Sequence, residues 1–432
     1  MTSASSSLGG RSRKTEEVEK MKRFVERRSD AEIAKLLLNA ATYSAKDRFE
    51  EDRAGAVGSI SRDVSRIAKC TKDMIDSERS LFSVKAAENN ALPRLHERVE
   101  LAPKLVGNDF LACMKIDLEY IVREYPIVRL NPYLDLFYRI VYRDEDGNEA
   151  AGLWSASEMR RQVGMRHVLT GDELKALAVR LDEAVKTIRD EGRGDAFQKL
   201  LRRYLRPAVE NYRSLIALIR ALQAKHHHLL VIRIDLSYLK ACSASIPYDE
   251  VRSHRTAFLR YVERCKRLQG AYLGRVLKLE IGIEKGLHYH ALLFVNGDVL
   301  HGDIDIAKEL GEHWRTEITK GNGIYFNCNA QRYDARGIGS VKYHDDKTRH
   351  NLETRVAAYI AKPDFYIHSV KRDEDRTIWP SLRPKDEPVR RGRKRGKIDA
   401  AAILTSKPLP SRPRRRARSK VERRDVSLRA SR

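Results

Sequence analysis

His288, His290 and Glu280 are the residues whose types and spacing could hold a metal ion. The two histidines lie in the run GLHYHALLF, residues 286 to 294. Residues two apart on a strand share a face, so both imidazoles project together while Tyr289 points away. What stands opposite them depends on the connection EKG, residues 284 to 286. A three-residue hairpin loop commonly ends in a left-handed residue, a conformation suited to Gly286. With Glu284, Lys285 and Gly286 as that loop, Ile283 pairs with Leu287, Gly282 with His288 and Glu280 with His290. A carboxylate then stands beside two imidazoles. A two-residue loop, Lys285-Gly286, would set Glu280 opposite Ala291 and disperse the group. Two imidazole nitrogens and a carboxylate oxygen make a three-ligand site for a divalent ion, with positions left for substrate oxygens. Paired histidines also occur on strands as ordinary polar residues.

A nucleophile stands in RVAAYIAKPD, residues 355 to 364. Tyr359 and Lys362 are three apart on a helix and therefore neighbours on its surface. A phenol with its ordinary pKa of about 10 is a poor nucleophile at neutral pH. A nearby cation and a metal-bound phosphate would change that. The alternative is a core-edge aromatic, because Leu352, Val356, Tyr359 and Ile360 follow helical spacing.

The elements that must carry these residues are legible in outline. Residues 16 to 205 read as a mainly helical accessory domain, with amphipathic runs such as DAEIAKLLLNAATYSA, capped by Asp30, and GDELKALAVRLDEAVKTIRDEG, ending near Gly192. One hairpin is expected there, LFYRIVYR and AAGLW flanking the Asp146-Gly147 turn. After a helix over 206 to 225 the pattern becomes strand, helix, two strands, helix, two strands, helix. HLLVIRIDL opens this series, and Pro363 stops its last helix. Such an order gives an α+β fold, an antiparallel sheet with helices packed on it, over residues 206 to 375.

Charge points to a polyanionic partner. The chain has 432 residues and a formal net charge of +24. From Arg383 onward it holds 19 Lys and Arg against 5 Asp and Glu. This segment, with Arg391, Arg393, Lys394, Arg395 and then Arg414, Arg415 and Arg416, is too poor in apolar residues to fold alone. A disordered basic tail over 376 to 432 that binds nucleic-acid phosphates is expected. Residues 1 to 15 are Ser/Gly-rich and then basic, the composition of a flexible arm and not of a secretory signal. Five scattered cysteines without C-x-x-C spacing fit a reducing cytoplasm. No run approaches the roughly 18 apolar residues of a membrane span.

The H-hydrophobic-H strand HYH followed by the Y-x-x-K helix YIAK resembles the HUH endonuclease superfamily of rolling-circle replication initiators and relaxases. More narrowly, LEIGIEKGLHYHALLFVNG, YFNCN, GIGSVKYHDD and AAYIAKPD resemble the inovirus Gp2-like replication proteins, with their C-terminal domain of the YagK/YfjJ type found in filamentous phage and prophage-like elements. The similarity covers residues 206 to 370. It implies a ferredoxin- or RRM-like sheet with the metal on its central strands. It also implies that Mg²⁺ or Mn²⁺ is held by His288, His290 and Glu280, the last at the place where viral members carry a carboxylate. By the same likeness, Tyr359 attacks a phosphate of single-stranded origin DNA to give a 5′-phosphotyrosyl enzyme and a free 3′-OH, with Lys362 supporting the phosphate.

Members with two catalytic tyrosines space them one helical turn apart, whereas Arg355 and Pro363 flank Tyr359 at that distance here. A single-tyrosine enzyme is expected, with Tyr366 beyond Pro363. Asp235 could assist the metal, and Lys278 and Lys342 could contact phosphate. No P-loop is present in the sequence, so strand separation would require a host helicase alongside a host DNA polymerase. Two other classes compete: a noncatalytic DNA-binding regulator or replication accessory, and a metal hydrolase that activates water without a covalent intermediate.

Overall fold

Residues 29–43, 60–86, 99–124, 127–142, 156–243, 245–282, 286–363, 366–368, 376–382 and 384 are described by a computed structural model. They all lie within the unit Met1–Pro384. The expected N-terminal arm and Arg391, Arg393, Lys394, Arg395, Arg414, Arg415 and Arg416 of the tail lie outside the described residues.

Amphipathic spacing produces helices in the first half, though one cap and one element differ from expectation. Helix α1, Asp30–Tyr43, is capped by Ser29 and not Asp30. The Ser29 amide donates to the Glu32 carboxylate at 2.7 Å, and the Glu32 amide returns a bond to Ser29 Oγ at 3.3 Å. Helix α2, Ile60–Asp76, precedes a hairpin of β1, Phe82–Ala86, and β2, Val99–Pro103. Helices α3, Leu105–Cys113, and α4, Leu118–Glu124, lead to strand β3, Ile127–Leu130.

The segment LFYRIV belongs to helix α5, Pro132–Val141, and not to a hairpin. Asn131 accepts a bond from the Tyr133 amide, and Pro132 pre-sets the first helical residue. Tyr133, Leu134, Phe137 and Val141 are buried at helical spacing, so a core-facing stripe overrides the β-propensity of the run. The AAGLW half lies outside the described residues. Helix α6, Ala156–Met165, is followed by α7, Gly171–Arg193, which opens on a capping box of Thr170 and Glu173.

Helix α8, Asp195–Lys225, joins the two halves. Its Phe197, Leu201 and Leu205 sit in the core of the first half, and Leu215, Leu218, Ile219 and Leu222 in the core beneath the sheet. The expected boundary near residue 205 therefore falls inside a continuous helix.

The second half is an antiparallel sheet with helices on both faces. Its elements are β4, His228–Tyr238; a single turn α9, Lys240–Ser243; α10, Tyr248–Arg264; β5, Tyr272–Gly282; β6, Gly286–Asn296; α11, Asp303–His313; β7, Gly323–Asn327; and β8, Gly339–Lys342. Helix α12, Asp346–Asn351, a π-helical turn Leu352–Val356 and helix α13, Ala357–Ala361, then run consecutively. Two short strands follow, β9, Tyr366–His368, and β10, Ile378–Pro380. The strand order is β10-β5-β6-β4-β7, with β8 on β4 beside β7. The three residues of β10, expected in the tail, form an edge strand on β5. Tyr366 pairs through its backbone with Leu130 of β3, in a separate two-stranded sheet.

Alternation along the strands divides the sheet. One face presents Ile232, Ile234, Leu279, Tyr289, Ala291 and Leu293 to α10 and α11. The other presents Leu229, Val231, Val276, Leu292 and Phe294 to α8 and α13. Toward one end of this second face all three central strands change character together. Arg233 and Asp235 on β4, His288 and His290 on β6, and Lys278 and Glu280 on β5 replace the aliphatic residues.

Candidate metal and tyrosine site

The hairpin register differs from the expected one by two residues. Glu280 pairs with His288, and Lys278 with His290. Gly282 pairs with Gly286, so Gly286 closes the ladder and does not end a Glu284-Lys285-Gly286 loop; residues 283–285 lie outside the described residues. Gly286 has φ +60°, and a Cβ there would stand 2.8 Å from the Ser243 carbonyl oxygen. Because side chains alternate with period two, an even slip leaves Glu280 on the histidine face.

A row of side chains therefore crosses the sheet: Asp235, His290 and Lys278, with Glu280 and His288 in the next row. One donor atom each from Glu280, His288 and His290 lies within 4.8 Å of the others. Two imidazoles and a carboxylate so disposed could hold a divalent ion. His288 Nδ1 lies 3.1 Å from the Gly286 carbonyl oxygen, a contact that leaves Nε2 as the nitrogen open to an ion. His290 is fully buried, with Nε2 2.9 Å from Glu280 Oε2 and Nδ1 2.7 Å from Asp235 Oδ1. A carboxylate on the far nitrogen fixes the ring and its tautomer and makes the near nitrogen a better ligand.

Helix α13 lies over these strands. The Tyr359 ring meets the His290 ring edge-on, centroids 5.3 Å apart. Lys362 Nζ stands 3.0 Å from Glu280 Oε1 and 4.3 Å from the centre of the Tyr359 ring. Arg233 Cζ is also 4.3 Å from that centre, with Nη2 3.5 Å from Asp235 Oδ2. Burial alone would push the Glu280 carboxyl up, but the Lys362 charge and the His290 hydrogen bond hold it well below the usual carboxylate range. Desolvation opposes the Arg233 charge as well, and Asp235 more than restores it.

The tyrosine helix is fixed from behind. Glu353, buried in the π turn, receives Arg220 of α8 at 3.1 Å, and the Tyr212 hydroxyl donates to the Glu353 carbonyl at 3.2 Å. A π turn inserts one extra residue into a helix, a feature frequent at functional sites.

Glu280, His288, His290, Tyr359 and Lys362 are thus brought together. Lys278 joins them differently from expectation: it is buried, and its ammonium donates to the Lys362 carbonyl at 2.6 Å, holding the C-terminal end of α13. Lys342 is exposed on β8, opposite His228, at the other end of β4 from Asp235. Arg233 was not singled out in the sequence, although VIRIDL carries its signal, a cation and an acid two apart in an otherwise apolar strand.

No family model, curated protein or solved structure matches the chain. Among the described residues no helix is long and apolar enough to cross a membrane.

Proposed function

We propose that the protein is a metal-dependent, single-tyrosine nicking and joining endonuclease of HUH type that acts in the cytoplasm on single-stranded origin DNA and initiates rolling-circle replication. The observation that carries this reading is the adjacency of two chemically distinct halves. A Glu/His/His donor set within 4.8 Å adjoins a tyrosine flanked by two cations, and Lys362 touches both.

Glu280, His288 and His290 would hold Mn²⁺ or Mg²⁺. When bound, the ion supplies Lewis-acid polarisation of the scissile phosphate. Asp235 keeps His290 in the tautomer that presents Nε2. Arg233 and Lys362 stand over the Tyr359 ring, where their charges would offset negative charge brought in by the DNA phosphate. The phenol oxygen attacks phosphorus, the P–O3′ bond breaks, the phenolic proton passes to solvent, and the departing oxygen takes up a proton as a 3′-OH. Lys362 offsets charge that builds on the phosphoryl oxygens. Because one phosphodiester replaces another, a 3′-OH can reverse the step and rejoin strands without ATP. Unwinding and synthesis fall to a host helicase and polymerase, and the basic tail adds phosphate contacts.

The Lys362–Glu280 ion pair favours a second reading. The same network can serve only to hold the helix on the sheet of a noncatalytic DNA-binding regulator. Incubation with Mn²⁺ and a tiled single-stranded origin library separates the two. An SDS-resistant protein–DNA adduct is expected with the unaltered chain and is expected to fall at least about a thousandfold in Tyr359→Phe. DNA affinity should change by less than about twofold, since the hydroxyl acts only in the chemical step. Binding without any adduct would leave the regulator reading standing, and two free DNA ends would point to water as the nucleophile.

A further inference from the structure

Strand β7 continues the site's row to the edge of the sheet. Phe326 pairs with Asp235, and Ile324 with Ser237, so both project from the face that carries His290. Directly opposed side chains of an antiparallel pair have Cβ atoms about 4.5–5.5 Å apart. Phe326 is nonetheless 42 % exposed and Ile324 41 %. Leu239, just past the end of β4 and bonded through its amide to the Asn322 carbonyl, is 41 % exposed. Tyr333, six positions past the end of β7, is 39 % exposed. An apolar and aromatic strip thus flanks the site, with exposed Lys240 following Leu239 and exposed Arg332 preceding Tyr333.

The charges beside the strip identify what it would take. Three cations, Arg233, Lys278 and Lys362, gather on this face beside the carboxylates of Asp235 and Glu280. Arg233 Nε is buried without a hydrogen-bond acceptor among the described residues. A ligand matching both features joins a negative charge to a flat ring, as a nucleotide does. We propose that Phe326, with Ile324 and Leu239 along the same edge, is a stacking platform for the bases of single-stranded nucleic acid flanking the phosphate at the tyrosine site. Stacking on an aromatic ring tolerates any base, and an alanine at such a ring commonly costs about tenfold in affinity.

The inference rests on the reading of the site as a single-strand binder but not on its chemistry, so it is tested with EDTA present. A fluorescein-labelled mixed-sequence single strand of about 12 nucleotides is titrated by anisotropy with the full chain and with Phe326→Ala, Phe326→Leu and Phe326→Trp. A loss of about tenfold is expected for Ala and Leu and near-normal affinity for Trp, whose fluorescence should be quenched on binding. Thermal melts should show every variant folded at the assay temperature, because the ring lies at the sheet edge and is partly exposed. Moving an abasic site along the oligonucleotide should erase the Phe326→Ala difference at one or two positions only. Affinity of Phe326→Ala within twofold of the unaltered chain overturns the platform. So does a dimer in sedimentation that Phe326→Ala dissociates, which would assign the strip to a second copy. The platform result with no adduct in the Mn²⁺ assay sinks the nicking reading alone, and an adduct with unaltered Phe326→Ala binding sinks the platform alone.

Discussion

Among the described residues between Ile60 and Arg193, the buried polar side chains are neutral: Ser65, Thr71, Asn131 and Gln162. From His228 to Lys362 the buried set includes Lys278, His288, His290, Glu353 and Lys362. The two halves share the helix α8, and each buries an extensive set of apolar side chains. Buried charge is a poor route to stability, because desolvation cancels much of the attraction. The first half keeps its ion pairs at the surface, as in Lys72–Asp76 and Arg161–Glu158, where each is worth little. Concentrated in one corner of one sheet, buried charge costs stability at the place where the proposed chemistry would use it.

That contrast can be broken or sharpened by substitution. The largest effect is expected from Glu280→Gln on the response to metal. With Mn²⁺ at a hundred times its dissociation constant, the unaltered protein should gain about 2.7 kcal/mol of stability, read as a higher melting temperature. The variant should gain almost nothing. An equal gain in both would remove the metal from the account of this corner. Asp235→Asn should retain the fold but bind Mn²⁺ about 10–100-fold more weakly by calorimetry, because the ring of His290 loses its carboxylate anchor.

Glu353→Ala tests whether a buried charge outside the donor set is purely mechanical. A loss of about 2 kcal/mol in urea unfolding is expected, since Arg220 loses its partner but stays partly hydrated. The smallest effect belongs to the first half. Thr170→Ala removes the capping box of α7 and should lower stability by about 1 kcal/mol without altering metal affinity. Coupling of that variant to metal binding would show the two halves to be less separate than their buried polar residues suggest.

How much of this was legible in the sequence follows from how local each cause is. Helix and strand periods are local, so β4, β5, β6 and the helices over them were readable, as was the shared face of His288 and His290. LFYRIVYR misled because its aromatic and β-branched run carries both patterns, and the deciding signals were Asn131 and Pro132 just before it. The hairpin register was read from loop chemistry alone and came out two residues off, yet the site survived because parity was right. The Asp235–His290 contact joins residues 55 apart in the chain through the β4–β6 ladder, which no local pattern encodes. Strand β10 is three residues long and ends in proline, too short for any period to show.

The π turn between α12 and α13 makes the tyrosine's bearing a matter of counting residues. Glu353 is bolted to α8, and Tyr359 lies six positions downstream on the same helical path. Each residue of an α-helix turns the path by about 100°. A lineage that lost a single codon within 352–356 would keep every side chain of the site and still swing the phenol about a quarter-turn off the sheet. Over evolutionary time, then, length in this short segment should be held more tightly than the identity of its residues.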